Sequence, residues 1–435
     1  MNISKYMLAY LCGLLSLGMH PGTWALDSVN QGPHLKILGD NLQASDEKAL
    51  VEAIGDIDTQ HLKIHGDLQA RDERTLVGII EDINAQRLQS ARDKLQQLVK
   101  ANPKFKLAQL IYADLLQART RTITGFGTYP DAPKETLANL LDEARVRLAH
   151  YWAPTGIGRI PASFIHMDPV YKYGLLVDLA RYRLYVVKNA SDHPRVVADY
   201  YISMGKKGAV KHKRGDQRTP VGVYHVTSQL QANRLPDLYG SGALPINYPN
   251  EWDKRLAKTG YGIWLHGTPS NTFARAPRAS DGCVALSNIN FTDLTKFVQV
   301  SRTPVVITNQ AKWLQPEVWA QQQTRFKQLI ENWRKDWQSL DSNRYLAHYS
   351  REFQARKKDY AAWVAHKKRV NSTKSYIRVG LSDISLFHYP DAPKIFVATF
   401  RQAYESSNHG SLSTKRQYWQ QEADGRWRII YEGPA

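Results

Sequence analysis

The chain has 435 residues, of which 43% are apolar and 23% are charged. At roughly 100–200 residues per domain this length predicts two or three domains, and the apolar content excludes a globally disordered chain. The net charge of +18 favours an anionic partner, either a cell envelope or a carboxylate-rich substrate, over nucleic acid, for which the sequence has no motif. Solubility alone explains the charge equally well.

The first 25 residues have the pattern of an export signal. Lys5 supplies a short positive region, an uncharged stretch follows, and Ala25 is a small residue at the expected cleavage point. The stretch is shorter than the roughly 20 residues that a membrane span needs, so we expect a cleaved signal rather than an anchor, and a periplasmic or secreted protein of the cell envelope. Of Cys12 and Cys283, only Cys283 would then remain, either as a reactive thiol or as a small buried hydrophobe.

Residues 26–160 are predicted to be a helical region with a packing or homodimerisation role. The region opens with an internal repeat, in which residues 34–60 return as residues 61–86, each copy reading as a short extended piece and a helix. Apolar residues at helical spacing predict three further helices, at about residues 85–101, 105–119 and 134–149. The first two of these resemble a tetratricopeptide-type hairpin.

Residues 165–312 change to short β-rich runs separated by Gly, Pro and Asp, with one helix predicted over Phe291–Gln299. The predicted strands are Tyr173–Leu179, Arg183–Val187, Val196–Met204, Gly222–Thr227, Gly262–His266 and Thr303–Thr308. Short strands with frequent turns predict a mainly-β domain, a β-sandwich or small barrel.

Residues 318–435 are predicted to be an α+β domain. The predicted helices are Trp319–Trp337, Tyr345–Phe353 and Tyr360–Val370, and the predicted strands are Ser375–Val379, Ile384–Tyr389, Lys394–Tyr404, Ser413–Gln421 and Arg426–Glu432. Helices followed by an antiparallel sheet resemble the NTF2-like fold. Four aromatic residues either line a pocket for a small ligand, glycan or peptide, or fill the core: Trp333, Trp337, Tyr345 and Tyr349.

The chemistry of the chain is concentrated in Trp264–Thr268 and Ser280–Asn288. A cysteine attacks as its thiolate and needs a base nearby; His266 is suited to this because histidine titrates near neutral pH. Gly282 permits a tight turn before Cys283, and such a turn can direct the Cys283 and Gly282 amides at a developing oxyanion. These residue types make Cys283 a candidate nucleophile and His266 its candidate general base, but their spacing alone is a weak signal, because any Cys and His can be this close in sequence.

The motif His266–Thr268 followed by Ser280–Asn288 resembles the active-site signature of the L,D-transpeptidase (YkuD) family. Ser203–Gly205 and Thr219–Tyr224 resemble an upstream segment of the same family, so the resemblance covers about residues 170–310. The family implies a β-sandwich that acts on peptidoglycan stem peptides, peripheral to the cell wall, without a metal or cofactor.

The resemblance also implies a role for each matching residue. Cys283 attacks the carbonyl between a diamino acid and the terminal D-alanine, and D-alanine leaves. His266 acts as base and then as acid, while the backbone carbonyl of Gly267 orients its other ring nitrogen. The Gly282 and Cys283 amides form the oxyanion hole. Two further motif positions in the substrate-binding site are expected to have structural or orienting roles: Ser280 and Asn288.

Two positions depart from the family pattern. Ala285 stands where the family usually has Arg, and Asp281 stands where it often has His. Because an arginine would hold a stem carboxylate, Arg275 and Arg278 in the preceding loop are expected to substitute in substrate binding, with solvated loop charge as the other interpretation. A second basic loop is interpreted as solvated surface: Lys211, Lys213, Arg214 and Arg218.

The acyl-enzyme has two possible fates. Transfer to an amine is transpeptidation, and transfer to water is L,D-carboxypeptidation, which trims a tetrapeptide to a tripeptide. The degenerate Cys-Val-Ala-Leu motif and the NTF2-like tail resemble the L,D-carboxypeptidase subgroup involved in helical cell shape. The alternative from another class is a non-catalytic scaffold that binds the cell wall, and the intact pair of His266 and Cys283 argues against it.

Overall fold

The computed structural model describes residues 71–119, 127, 133–153, 155–156, 158–355 and 358–435. The chain divides into two compact units, residues 1–157 and 158–435. The predicted export signal and the first copy of the repeat lie outside the described residues. No helix within the described ranges is long and apolar enough to cross a membrane.

The described part of the first unit is helical, as predicted. Its helices are α1 (Arg71–Asn84), α2 (Leu88–Ala101), α3 (Lys106–Gln117) and α4 (Lys134–Trp152). α1 is the helix expected for the second repeat copy. In α2, Ala91, Leu95 and Leu98 recur at helical spacing and are the buried residues, so one apolar face of the helix builds the core. Homodimerisation through this unit stays a prediction.

Residues 158–308, the β segment, contain short strands and two short helices. The strands are β1 (Ile160–Pro161), β2 (Phe164–Met167), β3 (Tyr173–Asp178), β4 (Arg183–Asn189), β5 (Pro194–Tyr201), β6 (Met204–Gly205), β7 (Gly222–His225), β8 (Leu230–Gln231), β9 (Gly242–Pro245), β10 (Trp264–His266), β11 (Arg278–Ser280), β12 (Val284–Ala285) and β13 (Pro304–Thr308). The helices are α5 (Glu251–Arg255) and α6 (Asn288–Thr295), with 3₁₀ turns at Ala232–Arg234 and Asp237–Tyr239.

The larger sheet of the β segment has the strand order β5-β4-β3-β13-β7. β3 and β4 form the predicted antiparallel hairpin, and β13 runs parallel to β3. Leu175, Leu176 and Val177 are consecutive and all buried, because this central strand is covered on both faces.

A second sheet carries the Cys/His motif, in the order β12-β10-β9-β8. β10 and β12 are parallel neighbours, with Leu265 opposite Val284 and His266 opposite Ala285. On the other side of β12, Ser203 bridges Ala285. The two halves of the motif, separated by a long loop, therefore meet on adjacent strands.

Two predicted elements of this segment were wrong in their bounds. The predicted strand Val196–Met204 is two strands, because the chain leaves the larger sheet after β5 and β6 then pairs with β11. The helix predicted over Phe291–Gln299 begins at Asn288 and ends at Thr295, since the Ser287 hydroxyl accepts a hydrogen bond from the Asn290 amide and caps it.

Residues 313–435, the C-terminal segment, are α+β. The elements are β14 (Trp313–Leu314), α7 (Pro316–Gln338), α8 (Ser342–Leu346), β15 (Tyr349–Ala355), β16 (Lys358–Asp359), α9 (Tyr360–Asn371), β17 (Ile377–His388), β18 (Ile395–Ser406), β19 (His409–Gln421) and β20 (Trp427–Pro434). One sheet has the order β16-β15-β20-β19-β18-β17-β2. Aromatic and aliphatic side chains of α7 pack in one core cluster with residues of this sheet, which confirms the predicted arrangement of helices and sheet.

The aromatic residues that the sequence singled out here fill the core: Trp333, Trp337, Tyr345 and Tyr349. The helix predicted over Tyr345–Phe353 was wrong, because α8 ends at Leu346 and Tyr349 begins β15. A spacing of four between aromatic residues fits a helix, but it also places Tyr349 and Phe353 on one face of a strand, and pairing with β20 decides the outcome.

The strands predicted as Ser375–Val379 and Ile384–Tyr389 are a single strand, β17. Its pairing with β18 shifts register between Ser382 and Ser385, and Asp383 between them has a φ of 53°. The polar residues Ser382 and Asp383, which separate the two predicted strands, thus form a bulge within one strand.

β2 was not predicted, and it joins the C-terminal sheet although it precedes β3. It pairs antiparallel with β17, and the Trp319 indole donates to the Phe164 carbonyl at 2.7 Å. The Phe164 ring packs edge-on against Phe387 at 5.3 Å and against Gly174 of β3, where a Cβ would collide with it. One core cluster accordingly draws residues from both sheets. The predicted fold class is confirmed: a helical N-terminal region, a mainly-β domain and an NTF2-like α+β domain.

Candidate active site

Cys283 and His266 lie on neighbouring strands. Cys283 immediately precedes Val284, which pairs with Leu265 in a parallel register, so Cys283 lies beside Trp264. Trp264 and His266 are two residues apart in β10, and residues two apart in a strand share a face. The register therefore places the Cys283 and His266 side chains on the same face.

The His266 imidazole is neutral and oriented. Its Nδ1 lies 2.6 Å from the Gly267 carbonyl oxygen. Because a carbonyl only accepts, Nδ1 carries the proton and Nε2 keeps a lone pair. Burial lowers the pKa of His266 to about 4; the Gly267 hydrogen bond opposes this shift, and the charge of Arg275 adds to it. At pH 7 the ring can accept a proton through Nε2.

The Cys283 thiol is protonated at rest. Burial raises the pKa of this thiol, and the negative charge of Asp281 adds to the rise. A hydrogen bond from the Trp264 amide and the charges of Lys211 and Arg275 act in the opposite direction. A neutral thiol beside a neutral imidazole favours proton transfer during attack over a preformed ion pair.

Gly282 and Ser280 shape the turn before Cys283. Gly282 has a φ of 126°, and a Cβ there would lie 2.7 Å from the Arg218 carbonyl oxygen, so this position requires glycine. The Ser280 hydroxyl accepts from the Gly282 amide at 3.1 Å and donates to the Cys283 carbonyl at 2.6 Å. The Gly282 amide thus donates to Ser280, and its oxyanion role stays a prediction. Across the described ranges the Cys283 amide has no hydrogen-bond partner, which leaves it as the available donor.

Asn288 and Ser280 were expected to have structural or orienting roles in the substrate-binding site, and the polar atoms of both side chains bond to the backbone. Asn288 Oδ1 accepts from the amides of Ser241 at 2.8 Å and Thr268 at 3.1 Å, and Nδ2 donates to the Thr268 carbonyl at 2.8 Å. These bonds join the loop before β9 to the loop after His266. The geometry therefore gives both residues a positioning role.

Arg275 and Arg278, the two arginines of the loop before Cys283, have different surroundings. Arg278 is exposed and donates to the Tyr182 hydroxyl at 3.0 Å. The charge of Arg275 acts on the pKa of both His266 and Cys283. Of the two cations expected to replace the arginine missing at position 285, Arg275 is therefore the one with an electrostatic effect on the reacting groups.

Tyr239 was missed by the sequence analysis. Its ring centroid lies 5.1 Å from that of His266 and 4.7 Å from that of Trp264. Burial raises the pKa of the Tyr239 hydroxyl, and negative charge at Cys283 adds to the rise. The one local signal is the following Gly240, which has a φ of 54° and is packed so closely against Thr268 that a Cβ could not fit.

The basic loop at residues 207–218 is ordered, whereas the sequence suggested a solvated loop. Lys211 is buried, and its Nζ lies 2.6 Å from Asp216 Oδ1. The other Asp216 oxygen accepts from the amides of His212 at 2.7 Å and Lys213 at 3.0 Å. The loop thus folds around a buried ion pair.

The C-terminal segment has a separate cavity of about 710 Å³, lined in part by Trp363, Lys415 and Glu432. Glu432 is buried, accepts from Gln417 at 3.0 Å and pairs with Lys415 at 3.3 Å. Lys367 Nζ lies 4.6 Å from the Trp363 ring centroid, and burial lowers the pKa of this lysine to about 8. Opposite charges and aromatic rings thus meet at this cavity.

The groups around Cys283 suit acyl transfer: a thiol, an oriented base, a free backbone amide and a cation. Within the part of the chain that the structure describes, no three His, Cys, Asp or Glu side chains are arranged to hold a metal ion.

Known proteins resemble the chain in both of its β-rich segments. Residues 172–307 match the family described as the L,D-transpeptidase catalytic domain (YkuD), and residues 325–433 match the Cds6 C-terminal NTF2-like domain. Among solved structures, Bd1075 of Bdellovibrio bacteriovorus is 28% identical with a TM-score of 0.56, over 64% of this chain and 98% of that chain. The helical cell shape determining protein Pgp2 of Campylobacter jejuni is 25% identical with a TM-score of 0.53, over 63% of this chain and 95% of that chain. No curated protein gives a significant match.

These matches include the strands that hold Cys283 and His266 and the NTF2-like sheet that follows them. Residues 172–307 therefore form an L,D-transpeptidase (YkuD) catalytic domain, and a Cds6-type NTF2-like domain follows it at residues 325–433.

Proposed function

We propose that the protein is a cysteine enzyme that removes D-alanine from peptidoglycan tetrapeptide stems through an acyl-enzyme on Cys283. One observation supports this most directly: a neutral His266, held by Gly267 with Nε2 unprotonated, on the strand next to the thiol. The family match supports a peptidoglycan substrate. The likeness to a helical cell shape determining protein supports a role in cell shape.

In the first step, His266 Nε2 takes the proton from Cys283 Sγ as the sulfur bonds to the carbonyl carbon of the diamino acid. The carbonyl oxygen becomes an oxyanion and accepts a hydrogen bond from the Cys283 amide. The Gly267 carbonyl beside Nδ1 stabilises the imidazolium that forms.

In the second step, His266 returns the proton to the nitrogen of D-alanine, the C–N bond breaks, and a thioester remains on Cys283. D-Alanine carries its carboxylate on the carbon next to that nitrogen. We therefore assign this carboxylate to Arg275, whose charge acts on His266.

In the third step, His266 accepts a proton from the acceptor as the acceptor attacks the thioester carbon. The C–S bond then breaks, and His266 returns the proton to the sulfur, which restores the Cys283 thiol and the neutral imidazole. An amine acceptor gives a crosslinked stem, the product of an L,D-transpeptidase. Water gives a tripeptide stem, the product of an L,D-carboxypeptidase.

The test is a digest of disaccharide tetrapeptides by the purified full-length protein, followed by mass spectrometry. Loss of one D-alanine with new dimers identifies a transpeptidase, and loss of one D-alanine without dimers identifies a carboxypeptidase. If neither product forms, and Cys283→Ala behaves like wild type in cells, the enzyme proposal is wrong and the scaffold alternative stands.

For the NTF2-like domain we infer a small polar ligand, such as a glycan or peptide, in the cavity beside Glu432. The buried carboxylate of Glu432, together with Lys358 and Lys415 in the lining of the cavity, provides both charges for such a ligand. Calorimetric titration of the full-length protein with disaccharide peptides tests this. Binding should weaken at least tenfold in Glu432→Gln, and equal binding would contradict the inference.

A further inference from the structure

A guanidinium lies over an exposed aromatic ring, and the residue after that ring contacts the thiol; the mechanism above uses neither side chain. Tyr261 is 67% exposed, although it is a large aromatic residue. The Arg214 Cζ lies 4.9 Å from the centroid of its ring. Tyr261 directly precedes Gly262, whose carbonyl oxygen lies 3.4 Å from Cys283 Sγ. Tyr261, on which Arg214 stacks, is therefore the neighbour in the chain of a residue that contacts the reacting sulfur.

Backbone contacts hold the two loops of this pair together. The Arg214 amide donates to the Thr259 hydroxyl at 3.3 Å, and the Thr259 amide donates to the His212 carbonyl at 2.9 Å. Gly260 has a φ of 105°, and a Cβ there would lie 3.3 Å from the Arg214 Cα. These contacts fix the backbone of Arg214 before a ligand binds. Less conformational entropy is therefore lost on binding.

Arg214 also lacks an acidic neighbour. Within the described ranges its guanidinium takes part in no ion pair and no side-chain hydrogen bond. The nearby carboxylate of Asp216 is occupied by Lys211 and by the amides of the loop. An arginine stacked on an aromatic ring, with its N–H groups unused, is suited to bind a carboxylate in a two-pronged hydrogen bond.

We infer that Arg214 and Tyr261 form the subsite for the retained, acyl-donating half of the substrate. Arg214 binds a carboxylate on the side chain of the diamino acid, and the Tyr261 ring supports the aliphatic part of that side chain. This inference rests on the proposed function.

The positions of the leaving D-alanine and of the retained diamino acid determine which of them Arg214 binds. His266 must protonate the departing nitrogen, so D-alanine lies on the side of His266 and Arg275. The retained diamino acid then extends to the other side of the sulfur, where the Gly262 carbonyl and Tyr261 lie. A carboxylate at the end of its side chain reaches Arg214, while a neutral or cationic side chain has no partner there.

The experiment compares three synthetic stem tetrapeptides with the full-length protein. The third residue is diaminopimelate, diaminopimelate amidated on its side-chain carboxyl, or lysine, and D-alanine release is measured. We expect wild type to prefer the free carboxylate, and Arg214→Ala to lower kcat/KM on that substrate about tenfold to hundredfold, mainly through KM. Activity on the other two substrates should be unchanged.

Lys213→Ala is the matched control, because Lys213 is an exposed cation on the same loop without an aromatic partner. It should keep the preference of wild type, and Arg214→Lys should restore part of it. The inference is overturned if wild type shows no preference or if Arg214→Ala retains it. Release of D-alanine from all three stems at equal rates would still support the proposed function. Release from none would reject that function and the subsite with it.

Discussion

The Ser280 hydroxyl donates a hydrogen bond of 2.6 Å to the carbonyl oxygen of Cys283. The same oxygen atom of Ser280 accepts from the Gly282 amide, so one side chain spans the turn that presents the thiol. The turn therefore has an internal support that does not depend on the substrate.

Removing this support should impair catalysis more than substrate binding. We expect Ser280→Ala to lower kcat for D-alanine release about tenfold, and to lower the free energy of unfolding by about 1–3 kcal/mol, because a buried amide and carbonyl lose their partner. Ser280→Thr keeps the hydroxyl and should recover most of the activity. An unchanged kcat in Ser280→Ala would show that the turn holds its shape without this residue.

The pH dependence of kcat/KM should follow His266. Only the neutral imidazole accepts the thiol proton, and burial lowers its pKa from 6.5 to about 4. Activity should therefore stay level from neutral pH down to about pH 5 and halve near pH 4. In Arg275→Gln the acid limb should move to higher pH, because one cation that lowers the pKa is gone. A wild-type midpoint near pH 6.5 would contradict the buried, neutral state of the ring.

Asp281 should make the thiol harder to ionise. Its negative charge raises the pKa of Cys283, while Lys206 partly neutralises it at 3.1 Å. Asp281→Asn should lower the thiol pKa, so the midpoint of iodoacetamide labelling against pH should move to lower pH. Lys206→Ala should move it the other way. Labelling curves that coincide for all three proteins would show that this charge does not act on the thiol.

Phe164 should stabilise both β-rich segments at once, because its ring contacts Phe387 on one side and Gly174 on the other. We expect Phe164→Ala to lower the free energy of unfolding by about 3–5 kcal/mol. Leu412→Ala, at a 65% exposed position, should change it by less than about 0.5 kcal/mol. Urea titrations followed by fluorescence test this, and a loss below 1 kcal/mol in Phe164→Ala would contradict the shared core.

The sequence predicted Cys283 as the thiol and His266 as the base because the residues around them match a family signature, whereas their types and spacing alone gave a weak signal. The sequence could not show which of Arg275 and Arg278 acts on the site, because they lie three residues apart in one loop. The contact that distinguishes them, between Arg278 and Tyr182, forms only in the folded protein. The hydrogen-bond partners of Asn288 could not be predicted either, because Ser241 and Thr268 come together only in the fold.

The missed strand β2 has a similar cause. Phe164–Met167 is a short apolar run, and nothing local shows that it pairs with β17, more than 200 residues further along the chain. The aromatic spacing of Tyr345, Tyr349 and Phe353 fits both a helix and a strand, so pairing with β20 had to decide. In both places long-range pairing overrides the local pattern.

The central claim is that Cys283 carries the acyl group, and peptide mapping by mass spectrometry tests it most directly. Full-length wild type and Cys283→Ala are incubated with a tetrapeptide stem, quenched in acid, digested and sequenced by mass. The account predicts a tripeptide acyl adduct on the peptide containing Cys283 in wild type, and neither an adduct nor D-alanine release in Cys283→Ala. Undiminished D-alanine release by Cys283→Ala would contradict it.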